Sequence, residues 1–438
     1  MNPEFQRNLW LEWTRPRLTS AFAALAAVLA LAWLANGRVL GTITANAALA
    51  CIAIFTLAWG AHLCGQSLID ELRSRTWDQQ RMSSLSPWRM TWGKLAGAPA
   101  VAWACGAIAG LVYLLSAGAT ANALWVLLAL TAASIGVHAS ALTGALTQAQ
   151  RGHRADLPLS LRLAAALGLW ILARELLGNF AGVRSWYGVE FPPLAFSACV
   201  LTALAAWLVF GSYRLMCDEL KVRTRPWALA SFILFVACLV AGFSYGPNAT
   251  ALAWLARVCT VGLCVALFLA YVCALSFVAD PVMPRRLLGY ARRGLWRRVG
   301  EEAPLWVVAV ASALPLGLLA GLLGGADLLP TLTSRLSTGG VVAILLYATR
   351  DLAVFFGIAC RAPQRGVEAS QLIYLALAYG LLPAIAALAG GDALGLLLRP
   401  APDRGLGAIA VLIVHAGGAL WWSRAMWLER MGARQALD

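Results

Sequence analysis

Five charged residues sit inside apolar stretches of this sequence, where charge is costly. Arg174 and Glu175 lie in "WILARELLG", Arg257 in "AWLARVC", and Arg350 with Asp351 in "LYATRDLAVFF". A charge at membrane depth costs about 2.5–3.5 kcal/mol even on a lenient insertion scale, so such residues face partners or water and are candidate functional groups. The chemistry open to them is a proton relay, a substrate contact, or a structural ion pair across a helix bundle. Adjacent residues on a helix do not face each other. Arg174 is therefore expected to pair with an acid on another helix, such as Asp351, rather than with Glu175.

Other chemistry is missing. A phosphate-binding loop of the form G-x-x-x-x-G-K-[ST] needs Ser or Thr after its lysine, but Lys94 is followed by Leu95 and Lys221 by Val222. There is no H-E-x-x-H and no G-x-S-x-G. His62, His138 and His415 are scattered through apolar runs and read as packed within a bundle, while His153 lies in a loop; none has metal-ligand spacing. No catalytic residue, metal site or cofactor is expected in this chain. A membrane enzyme would need a polar cluster at the membrane surface, and the sequence offers none.

The densest polar stretch is "DELRSRTWDQQRMSSLSPWRMTWGKL", Asp70 to Leu95. Asp70 with Arg73 and Glu71 with Arg75 have the i,i+3 and i,i+4 spacing of helical ion pairs. Thr76 with Gln79 fits a capping box that starts a short helix at Trp77. That helix must stop before Pro87, since the residue before proline avoids the α region, which allows about eight residues, or ~12 Å. Ser86-Pro87 suits the cap and first turn of a following helix that carries Trp88 and Trp92. The stretch predicts a short exposed knob bearing Asp78, Gln79, Gln80 and Arg81 between two membrane helices. A plain interfacial linker is the alternative reading.

The elements that must hold these groups are membrane helices. The chain has 438 residues, is 61% hydrophobic and only 12% charged, against about 25% charged in soluble domains. Apolar runs of about 20 residues, the length of a membrane span, recur throughout. The expected spans are 18–36, 45–65, 95–117, 122–147, 161–179 and 191–211 in the first half. In the second half they are 228–246, 250–279, 304–324, 339–360, 370–390 and 405–424. The first run is too long, and too closely followed by another, for a cleaved signal peptide. With both termini on the cytoplasmic side, 26 of the 34 Lys and Arg residues fall inside, five outside and three within spans, the asymmetry expected of a multi-pass protein. The net charge of +14 is thus spread over many short loops and does not point to nucleic acid. The ten cysteines lie mostly in spans, with no C-x-x-C pair, and are expected as free, packed thiols.

The expected fold is therefore all-α and polytopic, with about twelve transmembrane helices as two fused six-helix bundles, 1–211 and 212–438. "RPRLTSAF" (Arg15–Phe22) and "RPWALASF" (Arg225–Phe232) open the first and seventh spans and support an internal repeat, a common feature of transporters. Chance similarity of such short segments is the alternative.

The elbow at 66–94 resembles the segment after the second helix in type-2 ATP-binding-cassette exporter permeases. The match runs through Asp70 and Glu71, Arg75-Thr76, Ser83-Ser84-Leu85, Ser86-Pro87 and Gly93-Lys94-Leu95. The stretch Tyr347 to Pro383 is similar to distal segments of some members. The resemblance implies that Thr76 to Leu85 is a coupling helix seated in a cleft of a separate cytoplasmic ATPase subunit. Two such subunits would carry the ATP and Mg, and their closure would drive alternating access. It implies a multi-pass protein of the bacterial inner membrane, lying in the lipid bilayer. Permeases of this family commonly have six helices and dimerise, so twelve in one chain implies fused halves; a homodimer of the whole chain is the other possibility. The second elbow, 280–303, carries Arg285, Arg286, Arg292, Arg293, Arg297 and Arg298 but lacks the acid–Thr–Ser-Pro pattern. It is either a degenerate ATPase contact or a grip on anionic headgroups. A secondary transporter driven by an ion gradient, using the intramembrane charges, is the competing function.

Overall fold

The computed structural model describes residues 2–150, 184–245, 250–275, 282–324, 337–361, 366–388 and 406–435. Apolar runs fold as helices because the backbone can satisfy its own polar groups only within such a segment when lipid surrounds it. Among the described residues, ten helices are long and apolar enough to cross a membrane, and a further apolar helix, Trp227–Ala241, is shorter. Together they coincide with every expected span but 161–179, which lies outside the described residues. The protein is an all-α, multi-pass membrane protein.

The described residues divide into two compact units. The first holds residues up to 150, then Arg184 and 190–224; the second holds Ser185–Val189 and the residues from Arg225 onward.

In the first unit, α1 (Pro3–Glu12) precedes the spans α2 (Arg15–Ala35) and α3 (Thr42–Arg73). The short helix α4 (Trp77–Arg81) and then α5 (Pro87–Gly97) lead to α6 (Ala100–Ala117) and α7 (Ala121–Gln150). A small hairpin of β1 (Arg184–Trp186) and β2 (Val189–Phe191), of which Ser185–Val189 belong to the second unit, comes next in the chain, and α8 (Pro193–Glu219) completes the first unit. Three of these helices overrun the bilayer. At 32, 30 and 27 residues, α3, α7 and α8 reach about 40–48 Å at 1.5 Å per residue, against a hydrocarbon core of about 30 Å. The sixth span, expected to end at 211, thus continues for two more turns to Glu219. The overrunning ends pack together through Cys64, Leu68, Leu72, Leu142, Leu146 and Met216, and Trp77, Met90 and Leu95 of the elbow join the same core.

The second unit contains α9 (Trp227–Ala241), α10 (Ala251–Leu275), α11 (Val282–Arg292) and α12 (Trp296–Glu302). It continues with α13 (Leu305–Leu322), α14 (Thr338–Arg361), α15 (Val367–Ala386) and α16 (Leu406–Gln435). Its core is built from Ile233, Cys259, Leu263, Ala266, Ala313, Ala320 and Val341. Small residues on facing helices let the backbones approach where no hydrophobic force drives them together. All ten cysteines are free thiols.

Candidate functional site at the charged elbow

The span α3 ends at Arg73, and the chain turns through Arg75, whose φ of 58° lies in the left-handed region. This turn brings Thr76 back over the helix it has just left. Its hydroxyl meets Ser74 Oγ at 3.0 Å and the Glu71 carbonyl at 3.4 Å. The expected Thr76–Gln79 capping box is therefore not formed: Thr76 has helical rather than extended backbone and makes no cap hydrogen bond. The helix it precedes has five residues, not eight. The second break follows expectation, for Ser86 accepts a hydrogen bond from the Arg89 amide and Pro87 occupies the first turn of α5.

Glu71 departs from its expected partner, Arg75. It points inward with α3 and meets Lys94 Nζ at 2.6 Å and Arg7. Lys94 is fully buried and also lies 3.1 Å from Glu4 Oε1. Arg7 donates to both Glu4 oxygens, at 2.9 and 3.2 Å. Asn8 Nδ2 donates to Glu4 Oε1 at 3.0 Å and to the Glu4 carbonyl at 2.9 Å. Two cations and two carboxylates from α1, α3 and α5 thus form one neutral cluster, buried except at Arg7, whose side chain is 36% exposed. Burial alone would raise the Glu4 pKa, but Lys94 and Arg7 outweigh it and hold the carboxyl at about 2. Asp70 pairs with Arg73 as expected, at 3.8 Å, but both are well exposed and such a pair contributes little.

The cluster exists because α1 lies directly on α5. A Cβ at Gly93 would stand 2.6 Å from Glu4 Cγ and 2.9 Å from the Phe5 amide nitrogen, and one at Gly97 would stand 3.0 Å from Asn8 Cβ and the Phe5 carbonyl oxygen. Glu4, Arg7, Asn8 and Glu219 were not among the sequence candidates. The signal for α1 was present as Asn2-Pro3-Glu4: Asn2 caps the helix through its side chain and Pro3 opens it, the pattern that starts helices.

The short helix α4 is seated from below and open above. Trp77 is only 2% exposed, and its indole N–H donates to Glu219 Oε1 at 3.3 Å. Arg81 lies 3.5 Å from the same carboxylate and 3.6 Å from Asp78. Leu85 packs against the core beneath. Gln80 is half-buried, whereas Asp78, with an 80% exposed side chain, Gln79, Ser83 and Ser84 stand in the open. Met82 is 82% exposed. The tip is open, and Trp77 and Arg81 join the short helix to Glu219 of α8.

Among the intramembrane charges, Arg174 and Glu175 lie outside the described residues, and Arg257 is half-buried within α10. Arg350 and Asp351 do touch, contrary to the expectation for adjacent residues, because the long arginine reaches back to bring Nε 2.9 Å from Asp351 Oδ1. Asp351 is fully buried. It accepts hydrogen bonds from Tyr271 and Tyr374, each at 2.6 Å, and from Tyr379. Arg350 also stacks on the rings of Tyr347 and Tyr379. A π-helical turn at Leu377–Leu381 presents Tyr379 to this knot; such turns recur at functional positions.

The second elbow forms a helix–turn–helix of α11 and α12. Arg286 pairs with Glu302 at 2.8 Å and Arg297 with Glu301 at 2.9 Å. Among the described residues no three His, Cys, Asp or Glu side chains come together to hold a metal ion.

The site thus belongs to a multi-pass membrane protein with a charged, externally open elbow. No family model, curated protein or solved structure matches the chain.

Proposed function

We propose that this chain is the membrane permease subunit of an ATP-driven exporter, coupled to separate ATPase subunits on the cytoplasmic face of a bacterial inner membrane. One observation carries the reading: a five-residue helix with an open polar tip is anchored beneath by buried Trp77. That anchor joins the overrunning ends of α3 and α8 through Glu219 and the common core. Closure of the ATPases on ATP and Mg would press on Asp78, Gln79 and Met82. The neutral cluster of Glu4, Arg7, Glu71 and Lys94 would make α1, α3 and α5 respond as one body.

The test is co-purification with an ATPase encoded beside this gene. The double variant Gln79→Arg, Met82→Asp alters only the exposed tip and should abolish co-elution and nucleotide-dependent stimulation without lowering thermal stability. The proposal fails if the native chain binds no such ATPase, or if the double variant binds and stimulates it normally.

The buried Asp351 favours a second reading, an ion-gradient-driven transporter in which this carboxylate is the coupling group. Accumulation in vesicles driven by a pH gradient alone, and lost in Asp351→Asn, would select it over the first.

A further inference from the structure

The arginine hairpin of the second unit serves no role in the reading above. Helix α11 follows a span that ends at Leu275, and α12 precedes one that starts at Leu305, so the hairpin is tied to the membrane surface at both ends. Six arginines face only two acids within it, Glu301 and Glu302. Those acids are already engaged by Arg297 and Arg286, and the Tyr290 hydroxyl donates to Glu302 at 3.2 Å. Arg298 lies over the Tyr290 ring at 5.8 Å. Gly294, at φ +69°, closes the turn. These contacts occupy Arg286, Arg297 and Arg298, which nonetheless remain exposed.

The other three arginines differ in their pairing. Arg285, Arg292 and Arg293 are exposed and make no ion pair with any described residue. Arg285 and Arg292 stand seven positions apart, on one stripe of α11, and Leu288 between them is exposed as well. Leu295 and Trp296 are also uncovered, Trp296 to 69%. Guanidinium groups match phosphate oxygens in a planar, bidentate geometry. Trp belongs at the headgroup level, where one end of the ring is apolar and the other wet. Cations beside bare Leu and Trp on a surface-bound hairpin are complementary to a phosphate layer over acyl chains. They differ from the polar Asp-Gln-Met-Ser tip of the first elbow. We infer that this exposed surface of α11 and α12 binds the headgroups of anionic phospholipids.

The test uses the full-length purified chain, stripped of lipid and titrated with phosphatidylglycerol or phosphatidylcholine, with bound lipid counted by native mass spectrometry. Three arginines near an anionic surface add on the order of 100-fold in affinity. The triple variant Arg285→Gln, Arg292→Gln, Arg293→Gln should lose most of that factor for phosphatidylglycerol and none for phosphatidylcholine. The corresponding triple lysine variant should retain it in large part. A measurement independent of that variant is quenching by brominated lipids, read as the difference between the native chain and Trp296→Phe. The Trp296 signal should be quenched more strongly by brominated phosphatidylglycerol than by brominated phosphatidylcholine. Equal retention of phosphatidylglycerol by native and triple glutamine proteins overturns the inference, as does equal quenching by the two lipids. If the triple glutamine variant keeps its lipid but loses an ATPase partner, the hairpin is a protein dock and the inference falls.

Discussion

Lys94 is the residue on which the charges of the first unit converge. A buried ammonium is tolerated only with its anions beside it, and removing one partner of a buried pair costs about 3–5 kcal/mol. Lys94→Met should therefore lower the unfolding temperature of the purified protein sharply, whereas Arg73→Met, in an exposed pair, should leave it unchanged. The same cluster sets a pH dependence. Glu4 titrates at an ordinary 4.5 when unfolded and at about 2 when folded. Its stabilisation is complete above 4.5 and disappears as pH falls from 4.5 toward 2, a contribution of about 3 kcal/mol by linkage. Unfolding midpoints measured over this range should fall with pH in the native protein and fall less in Glu4→Gln. That Lys94 is charged and in an elbow is legible in the sequence; that it is buried is not. Its partner Glu4 lies ninety positions away, and no local spacing records such a contact.

At the scale of elements, glycine decides how closely α1 approaches α5. Gly93→Ala would drive a methyl into Glu4 and the Phe5 backbone, where little can yield; overpacking of this kind costs about 1–3 kcal/mol. Gly289, within α11, has nothing within 4 Å of its added Cβ, and Gly289→Ala should stabilise by about 0.4–1 kcal/mol through the unfolded state. Opposite shifts in melting temperature for the two variants are the expected result. Local signals read well where one residue and its neighbour fix the backbone, as at Ser86-Pro87. They misread Thr76, because the left-handed turn at Arg75 assigns its hydroxyl to the helix behind it. The π turn at Ala53–Trp59 also left no trace in the apolar pattern. Yet it accompanies a 2.7 Å contact between the Thr56 carbonyl and His138 Nε2, which pairs one ring nitrogen of that buried histidine, while its Nδ1 has no hydrogen-bond partner among the described residues.

At the scale of the whole molecule, the spans were legible because each is a run of apolar residues longer than any soluble core requires. Helix ends were less so, since α8 continues past the bilayer with an amphipathic last turn that packs Met216 and Cys217 inward. The first compact unit runs to Thr224. The basic-residue asymmetry predicts that the N-terminus, the tip near Gln79 and the turn at Gly294 share the cytoplasmic side. Reporter fusions at those three points should give cytoplasmic signals, and fusions near Arg38 and Gly118 the opposite.

The docking of α1 also imposes an order on synthesis. Its seat is made of Gly93, Gly97 and Lys94, which are translated about ninety residues after Glu4. At about 5–20 residues per second, α1 waits roughly 5–20 s with its Glu4 carboxylate facing only Arg7 of its own helix and not yet Lys94. Two spans can be threaded into the bilayer in that interval. Helix α1 thus finds its seat only after α2 and α3 have been made, and before α6, α7 and α8 exist to close the unit around it.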